Sequence, residues 1–346
     1  PAGDPLSLPG VAPGRRASRT TREILMRMFR SLIVALCCSL LAGMTPTLAE
    51  EQAAQKAVLV TGASTGIGLR IVETLAKHGF YVYAGARKAE DLARLDAMSN
   101  VRSVKLDVTV QEDVDAAADF VRREGRGLWG IVNNAGVVTL APLLAGSEPA
   151  FRTTFDVNVL GPVRVNNAFL PLLLESGGRT TIIGSISGYI AEGEDGGYSA
   201  SKFAVEGYTD SLAAELEKSG VHVSIVEPGA YKSEIREKMV AQMLAAADAG
   251  TVELDDAGRA ELLKTKFGNT ELKEPDEVAE AVVHAMSSDQ PKRRYMVTPN
   301  EEQARMTISA ALQRLLELNE DQPYSYDRDQ LVAMLDELLE KQRAGR

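Results

Sequence analysis

The chain has 346 residues, of which 45% are hydrophobic and 25% charged, so it is long enough to bury a sizeable core. Its formal net charge of −10 comes without a concentrated basic face, which argues against a nucleic-acid-binding protein. The two cysteines, Cys37 and Cys38, are adjacent, and the rest of the chain therefore has no thiol for a disulfide or a thiolate metal site.

The first 49 residues differ in composition from the rest. Six arginines against two acidic residues give them a local charge of +4, which leaves −14 for the remainder. The apolar run from Ser31 to Met44 is too short for a comfortable transmembrane helix. With its basic flank and the small residues after it, the run predicts a secretory signal; an uncleaved membrane anchor and a mitochondrial transit peptide are alternatives. If the leader is real, the protein is exported or anchored in a membrane. If the leader is partly mis-assigned coding sequence, the protein is cytoplasmic.

From Ala57 onward, short apolar runs alternate with helical stretches. The runs that predict strands are residues 57–60, 80–84, 101–106, 129–133, 179–184, 221–226 and 293–297. They lack polar alternation, as parallel strands covered on both faces do. The sequence therefore predicts an α/β fold: a doubly wound, seven-stranded parallel sheet of the Rossmann type, with right-handed crossovers and helices on both faces.

Two segments interrupt this alternation. Residues 231–274 form a helical insertion after the sixth strand, rich in alanine and charge. The tail contains two amphipathic helical patterns, around Glu301–Leu318 and Arg328–Lys341, which we expect to dock on the core or on a second subunit. The predicted parts of the chain are a leader (1–49), one α/β domain (50–299) and a helical extension (300–346).

The first strand continues into TGASTGIG, residues 61–68. Gly62, Gly66 and Gly68 let the backbone turn sharply and approach a ligand, and the next helix directs its amino end at a phosphate. The spacing G-x-x-x-G-x-G differs from the common G-x-G-x-x-G fingerprint. Its place between the first strand and first helix of a doubly wound sheet nevertheless predicts a dinucleotide phosphate site. The other residues of this predicted site are Ser64, Thr65 and Ile67.

Tyr198 and Lys202 lie four residues apart in YSASK. If this segment is helical, the two side chains share one face. A lysine beside a tyrosine favours the phenolate and draws its pKa from about 10 toward physiological pH. The pair fits a general acid/base, although the spacing alone also fits an exposed pair on a solvated helix.

Seven motifs follow one another in a fixed order. They are TGASTGIG, LDVT (106–109), NNAG (133–136), Asn158 in FDVNVLG, Ser185, YSASK and EPG (227–229). Together they resemble the short-chain dehydrogenase/reductase family, of the type with an Asn-Ser-Tyr-Lys tetrad, over about residues 55–299. LWGIVNNAG and FDVNVLGPVRV are similar to the retinol and hydroxysteroid dehydrogenase branch. The sequence departs from the family's pattern before Tyr198, where Glu192, Glu194 and Asp195 occupy positions that are often apolar or small.

The resemblance implies a role for each tetrad residue. Tyr198 would be the general acid in reduction and the general base in oxidation, while Lys202 would lower its pKa and hold the nicotinamide ribose. Ser185, favoured over Ser187 by its spacing to Tyr198, would hydrogen-bond the reacting oxygen. Asn158 would support a water relay to Lys202. Since hydride transfer builds negative charge on oxygen, two hydroxyl donors and a cation would stabilise the transition state.

The resemblance also implies a nicotinamide cofactor. It assigns further cofactor contacts to Asp107, Asn134, Ala135, Gly136, Pro228, Gly229 and Ser233. For Asp107 the alternative is a helix cap. The second strand ends at Ala86, where NAD-preferring members usually have an acid, and Arg87 follows. The absence of that acid and the presence of a guanidinium suit a 2′-phosphate, so we expect NADP(H), with NAD(H) as the alternative if Arg87 only faces solvent.

The resulting prediction is an NADP(H)-dependent oxidoreductase for a hydrophobic alcohol or carbonyl that is steroid-, retinoid- or lipid-like. A non-catalytic dinucleotide-binding regulatory protein is the alternative. Apolar side chains after the sixth strand would line the substrate pocket or belong to the core: Met239, Met243, Leu244 and Phe267.

Other partners follow from the same sequence. No metal site is predicted, because the three histidines, His78, His222 and His284, are scattered. Membrane contact is expected only through the leader, if the leader is not cleaved. The resemblance to the family implies a homodimer or homotetramer, formed through the helices that include Glu148–Leu174 and Gly197–Lys218.

Overall fold

The computed structural model describes residues 55–139, 148–191, 196–250, 254–267 and 272–344. The leader lies outside these residues, and so does the acidic loop with Glu192, Glu194 and Asp195. All described residues belong to one structural unit, which begins at Gln55.

The described residues contain one sheet of seven strands in the order β3-β2-β1-β4-β5-β6-β7. The strands are β1 (Ala57–Val60), β2 (Tyr81–Ala86), β3 (Val101–Lys105), β4 (Gly130–Asn133), β5 (Arg179–Ile183), β6 (His222–Pro228) and β7 (Arg294–Val297). All neighbouring pairs are parallel. The strand order reverses between β1 and β4, and ligands of open α/β sheets bind at the carboxyl ends of strands at such a point. The predicted doubly wound parallel sheet is confirmed.

Helices cover both faces of the sheet. The α-helices among the described residues are α1 (Gly66–Lys77), α2 (Ala89–Asp96), α3 (Gln111–Glu124), α4 (Glu148–Phe155), α5 (Gly161–Ser176), α6 (Gly196–Leu216), α7 (Glu234–Asp248), α8 (Asp256–Phe267), α9 (Asp276–Ser287), α10 (Glu301–Asn319) and α11 (Arg328–Ala344). The predicted insertion after β6 contains α7 and α8, and the predicted tail helices are α10 and α11.

Two apolar cores lie on opposite faces of the sheet. In β1, Leu59 belongs to one core while Val58 and Val60 belong to the other. Successive strand side chains point to opposite faces, so a strand buried on both must be apolar at every position. This is why AVLV shows no polar alternation. Helices α3, α5 and α6 complete the first core, and α1, α2 and α9 complete the second.

The segment Glu148–Ser176 is one long helical stretch interrupted by a π-helical turn, Asp156–Leu160. Among the described residues it is the stretch long and apolar enough to cross a membrane. Its Val165 and Phe169 are fully buried against the sheet. The segment is therefore a core helix of the domain.

The tail joins the domain through the first half of α10. Thr307 is buried there, and the Gln303 side-chain oxygen accepts a hydrogen bond of 2.8 Å from the backbone N–H of Ala230. Farther along, the Arg314 guanidinium lies 4.0 Å from the centre of the Phe203 ring. Helix α11 is exposed along its length.

Candidate active site

The glycine turn after β1 is tied to the carboxyl end of β4. The Thr61 hydroxyl oxygen accepts hydrogen bonds of 3.0 Å from the backbone N–H groups of Asn134 and Ala135. In return, the Asn134 side-chain amide donates to the carbonyl oxygens of Thr61 and Gly62, both at 3.0 Å. The predicted cofactor residue Asn134 thus uses its side chain to shape the turn.

Two glycines of this turn have no room for a side chain. Gly62 has a φ of +64°, and a Cβ there would lie 2.8 Å from the Ala135 Cα. A Cβ at Gly68 would collide with the Gly62 carbonyl oxygen and the Asn134 amide. The contact of α1 with the end of β4 therefore requires glycine at both positions.

The amino end of α1 suits an anion. Thr65 precedes the helix in an extended conformation, its side chain does not cap the helix, and no acidic residue stands in the first turn. The N–H groups of Gly66, Ile67 and Gly68 are thus directed at the space in front of the helix. Ser233 borders this space, since a Cβ at Gly66 would lie 3.3 Å from the Ser233 Cβ. The structure brings these predicted residues together around one site that fits a diphosphate.

Other residues of the turn serve the scaffold. The Ser64 carbonyl oxygen accepts a hydrogen bond from the Arg94 guanidinium of α2. The Ile67 side chain packs on the core that α1 and α9 share. At the far edge, β6 ends at Pro228, and the Gly229 N–H donates to the Val297 carbonyl oxygen at 2.8 Å.

An ion pair follows the end of β2. Arg87 is 71% exposed, and its guanidinium lies 3.5 Å from the Asp107 carboxylate. Burial raises the pKa of Asp107, but hydrogen bonds from the backbone and hydroxyl of Thr109, together with the charge of Arg87, outweigh it and hold the pKa below its usual value. Asp107 is therefore an anion. The Asp107 carboxylate accepts hydrogen bonds from Thr109 in the turn before α3. It is not the cap of α3, because that helix begins after Val110.

Asn158 lies in the π-helical turn and is buried. Its side-chain oxygen accepts from the Val137 N–H at 2.8 Å, and its amide donates to the Val137 carbonyl oxygen at 2.9 Å and to the Ser201 hydroxyl at 3.0 Å. The Ser201 hydroxyl donates in turn to the Tyr198 carbonyl oxygen at 2.7 Å. Asn158 therefore links the segment after β4, which includes Gly136, to the amino end of α6.

Small residues allow α6 to pack closely there: Gly197, Ser199 and Ser201 are all buried. Lys202 is also buried, and its ammonium donates to the Ile183 carbonyl oxygen at 2.8 Å, the last residue of β5. The ammonium lies 5.5 Å from the centre of the Tyr198 ring. Burial lowers the pKa of Lys202 to about 8, although the charge of Glu206 opposes this shift.

Ser185 follows β5 two residues after Ile183. Its backbone is extended, with a φ of −172°, and it caps the short 3-10 helix Ile186–Gly188. The Ser185 hydroxyl oxygen accepts from the Ser187 N–H at 3.1 Å. This bond uses an oxygen lone pair, so the hydroxyl proton can be donated to a substrate oxygen. The four tetrad positions thus converge on the carboxyl ends of β4 and β5.

Sequence reasoning missed a buried polar cluster on α6, β6 and β7. Arg294 places its guanidinium 3.1 Å from the Glu206 carboxylate and 3.6 Å from that of Glu227. The Tyr189 hydroxyl lies 3.4 Å from each carboxylate. Burial and the neighbouring Glu206 raise the pKa of Glu227 to about 8, although Arg294 opposes the shift. A signal was present, because Glu206 stands four residues after Lys202 and Glu227 opens EPG.

The remaining predicted residues lie elsewhere. Met239, Met243 and Leu244 are half-buried on α7, and the Phe267 side chain lies outside the described residues. His78 lies 3.7 Å from Glu280, and the His284 ring bonds the Tyr295 hydroxyl at 2.8 Å. Within the described part of the chain, no three acidic, histidine or cysteine side chains are grouped as metal ligands.

Comparison with known proteins supports this geometry. The family model for short chain dehydrogenases matches residues 56–244. The dehydrogenase/reductase SDR family member 9 of Bos taurus is 34% identical over 284 residues, which cover 78% of this chain and 88% of that protein. The mitochondrial D-beta-hydroxybutyrate dehydrogenase of Bos taurus is 34% identical over 265 residues, which cover 69% and 76%.

A solved structure of a short chain dehydrogenase has a similar fold. The short chain dehydrogenase of Burkholderia cenocepacia, in complex with NADP, has a TM-score of 0.58 at 26% identity, covering 79% of this chain and 100% of that one. The family match spans the glycine turn, the π-helical turn and the whole of α6. The chain is an oxidoreductase of the short-chain dehydrogenase family.

Proposed function

We propose that this chain is an NADP(H)-dependent enzyme that transfers a hydride between nicotinamide and a hydrophobic alcohol or carbonyl. The observation that carries the proposal is the buried Lys202 ammonium, 5.5 Å from the Tyr198 ring, at the strand end that also holds Ser185. A dinucleotide-binding module without chemistry has no need of a lysine whose burial costs free energy. The NADP complex of the Burkholderia protein supports the cofactor class.

The chain's own residues would hold the dinucleotide at two places. The N–H groups of Gly66, Ile67 and Gly68 would bind the diphosphate, and Lys202 would bind the nicotinamide ribose. When bound, the cofactor supplies or accepts the hydride. Pro228 and Gly229 would border the nicotinamide, and the Ser233 hydroxyl would contact its carboxamide.

Proton transfer would fall to Tyr198. In reduction its hydroxyl would donate to the carbonyl oxygen, and in oxidation its phenolate would accept the proton of the alcohol. Ser185 would donate a hydrogen bond to the same oxygen, and the Lys202 cation would stabilise the negative charge that develops there. Asn158, held by Val137 and Ser201, would position the segment through which Lys202 is reprotonated.

Helix α7 and the resemblance to the retinol and hydroxysteroid branch support the proposed substrate class. Met239, Met243 and Leu244 are half-buried, so they have apolar surface to offer a ligand. We expect kcat/KM to rise along a series of ketones of increasing apolar length. The relative that acts on hydroxybutyrate makes a short hydroxy acid the natural comparison compound, and a clear preference for it would contradict the proposed substrate class.

Replacing Tyr198 with Phe tests the chemistry. The ring remains but the proton donor is lost, so we expect kcat to fall by about 10²- to 10⁴-fold, as general acid/base catalysis contributes. Calorimetric titration should show cofactor binding within about twofold of the unchanged protein. Turnover that survives the substitution would refute the mechanism and favour the regulatory alternative.

Replacing Arg87 with Ala tests the cofactor preference. Arg87 is exposed and held only by an ion pair of 3.5 Å, so it can turn toward a 2′-phosphate. We expect calorimetry to show at least tenfold weaker NADPH binding and little change for NADH. The control is Arg123→Ala, an exposed arginine on α3. Tighter binding of NADH than NADPH by the unchanged protein would show that Arg87 does not select a 2′-phosphate.

A further inference from the structure

Helix α11 exposes an apolar stripe. Leu331, Leu335, Leu338 and Leu339 follow the spacing i, i+4, i+7 and i+8, which places them on one face. Leu335 is 53% exposed and Leu338 is 62% exposed. Most of the stability of a helix in a protein comes from packing of its apolar face, so the 17-residue α11 would gain stability from a packing partner.

Helix α10 carries a second stripe with the same spacing. It consists of Ile308, Leu312, Leu315 and Leu316, each about half exposed at 47–52%. The stripe on α11 alone offers on the order of 300 Å² of apolar surface. A stable interface buries about 800 Å² on each partner. Both stripes are therefore needed to form one.

The residues of α11 are arranged symmetrically around Leu335. Leu331 and Leu339 lie four residues to either side, and Val332 and Leu338 lie three residues to either side. An antiparallel pair of α11 helices centred on Leu335 would therefore match apolar positions with apolar positions along its length. Such self-matching is what a two-fold interface between identical chains requires.

Four charged residues at the two ends of α11 follow the same symmetry, whereas Arg328, Asp336, Glu337 and Glu340 have no charged counterpart in it. Asp327 and Asp329 stand eight and six residues before Leu335, and Lys341 and Arg343 stand six and eight residues after it. In an antiparallel pair the acidic start of each helix lies beside the basic end of the other. The net charge of the described helix is slightly negative, which disfavours an anionic lipid surface as the occupant.

We propose that the tail is a self-association surface, in which α11 packs antiparallel against α11 of a second copy of this chain and the α10 stripes complete a four-helix bundle. Helices with apolar stripes of this spacing form such bundles. This surface is separate from the one expected on α5 and α6. It does not depend on the proposed catalytic function.

Disulfide trapping tests the symmetry centre. In the full chain with Cys37 and Cys38 replaced by serine, Leu335→Cys places one thiol on each copy at the two-fold axis. The oxidant diamide takes up the two electrons and two protons when these thiols join. We expect most of the chain to become covalent dimer, as judged by non-reducing electrophoresis. The matched control is Ala333→Cys, which lies on the opposite face of α11 and should remain largely uncrosslinked.

Charge reversal tests the orientation. Asp329→Lys and Lys341→Asp should each weaken self-association through the tail about tenfold or more in sedimentation experiments. In the proposed pair Asp329 of one copy lies opposite Lys341 of the other, so each variant places like charges together twice in a dimer. The double variant should return to within about twofold of the original Kd.

Two outcomes would overturn the proposal. One is Leu335→Cys cross-linking no better than Ala333→Cys. The other is a double charge variant that associates as weakly as either single one, which would exclude the antiparallel arrangement.

Discussion

At the scale of single residues, the buried carboxyl groups of Glu206 and Glu227 share one cation. Arg294 contacts both, and its guanidinium also binds Asp210 at 2.8 Å. Burial raises the pKa of Glu206, although Arg294 opposes this, and raises that of Glu227 to about 8. Two carboxylates in a low-dielectric environment cannot both ionise easily, so the pair keeps one proton at neutral pH.

This proton makes stability depend on pH. A folded pKa of about 8 lies above the value of about 4.3 for an unfolded glutamate. The stabilisation is therefore complete below pH 4 and is lost as pH rises through 8. We expect the free energy of unfolding, measured in urea, to fall by on the order of 3 kcal/mol between pH 5 and pH 8. Glu227→Gln should remove most of this decline.

An exposed glutamate on α6, the helix that carries Glu206, provides the control: Glu215→Gln should keep the full decline. Lys202 does not confound the measurement, because its lowered pKa of about 8 changes stability only as pH rises from about 8 toward the unfolded value of about 10.4. A Glu227→Gln protein as sensitive to pH as the original would show that the shared proton is absent.

At the scale of elements, the close contact between α1 and the end of β4 depends on the lack of a side chain at Gly68. A Cβ there would collide with the Gly62 carbonyl oxygen, which belongs to backbone and cannot move aside alone. We expect Gly68→Ala to lower the free energy of unfolding by about 1–3 kcal/mol and to abolish measurable cofactor binding. Thermal unfolding and calorimetric titration would check the two effects.

Gly207 provides a matched control within another helix. It lies on α6 with open space around the position that a Cβ would take. Gly207→Ala should therefore raise the free energy of unfolding by about 0.5–1 kcal/mol, since alanine is the better helix former. If Gly68→Ala were tolerated as well as Gly207→Ala, the contact between turn and strand would not be as close as described.

Prediction from sequence succeeded where burial leaves a direct trace in composition. AVLV is apolar at every position because helices cover both faces of β1, and the structure confirms it and its six counterparts as parallel strands. The π-helical turn at Asp156–Leu160 was not predicted, because one extra residue in a turn changes no composition. The cluster of Glu206, Glu227 and Arg294 was missed because its members come from separate elements.

Among the site residues too, local spacing was predictable from the sequence, whereas contacts between distant segments were not. Gly62, Gly66 and Gly68 were identified from spacing, and the structure places them at the amino end of α1. Asn134 was expected near the cofactor, but that its amide holds the Thr61 and Gly62 carbonyl oxygens depends on contacts more than 70 residues apart in the chain. The cofactor contacts themselves stay predictions.

At the scale of the whole molecule, the tail and the proposed nicotinamide site meet at one point. A Cβ at Gly229 would lie 2.9 Å from the Pro299 ring, and Gln303 of α10 accepts the Ala230 N–H. The helix whose stripe is proposed to face a second copy thus begins on the loop proposed to border the nicotinamide. A shift of α10 would therefore also move the loop at Gly229 and Ala230.

If both proposals hold, two nicotinamide sites are connected through a rigid helical joint, and cofactor binding becomes cooperative. A shift of the loop on cofactor binding in one copy would alter the affinity of the other, so the Hill coefficient for NADPH should differ measurably from 1. Gln303→Ala should return it to 1 without opening the tail interface, while Leu335→Asp should return it to 1 by opening that interface. A coefficient of 1 in the unchanged dimer would mean that the tail joins two independent enzymes, and that its contact with Ala230 serves only to anchor α10.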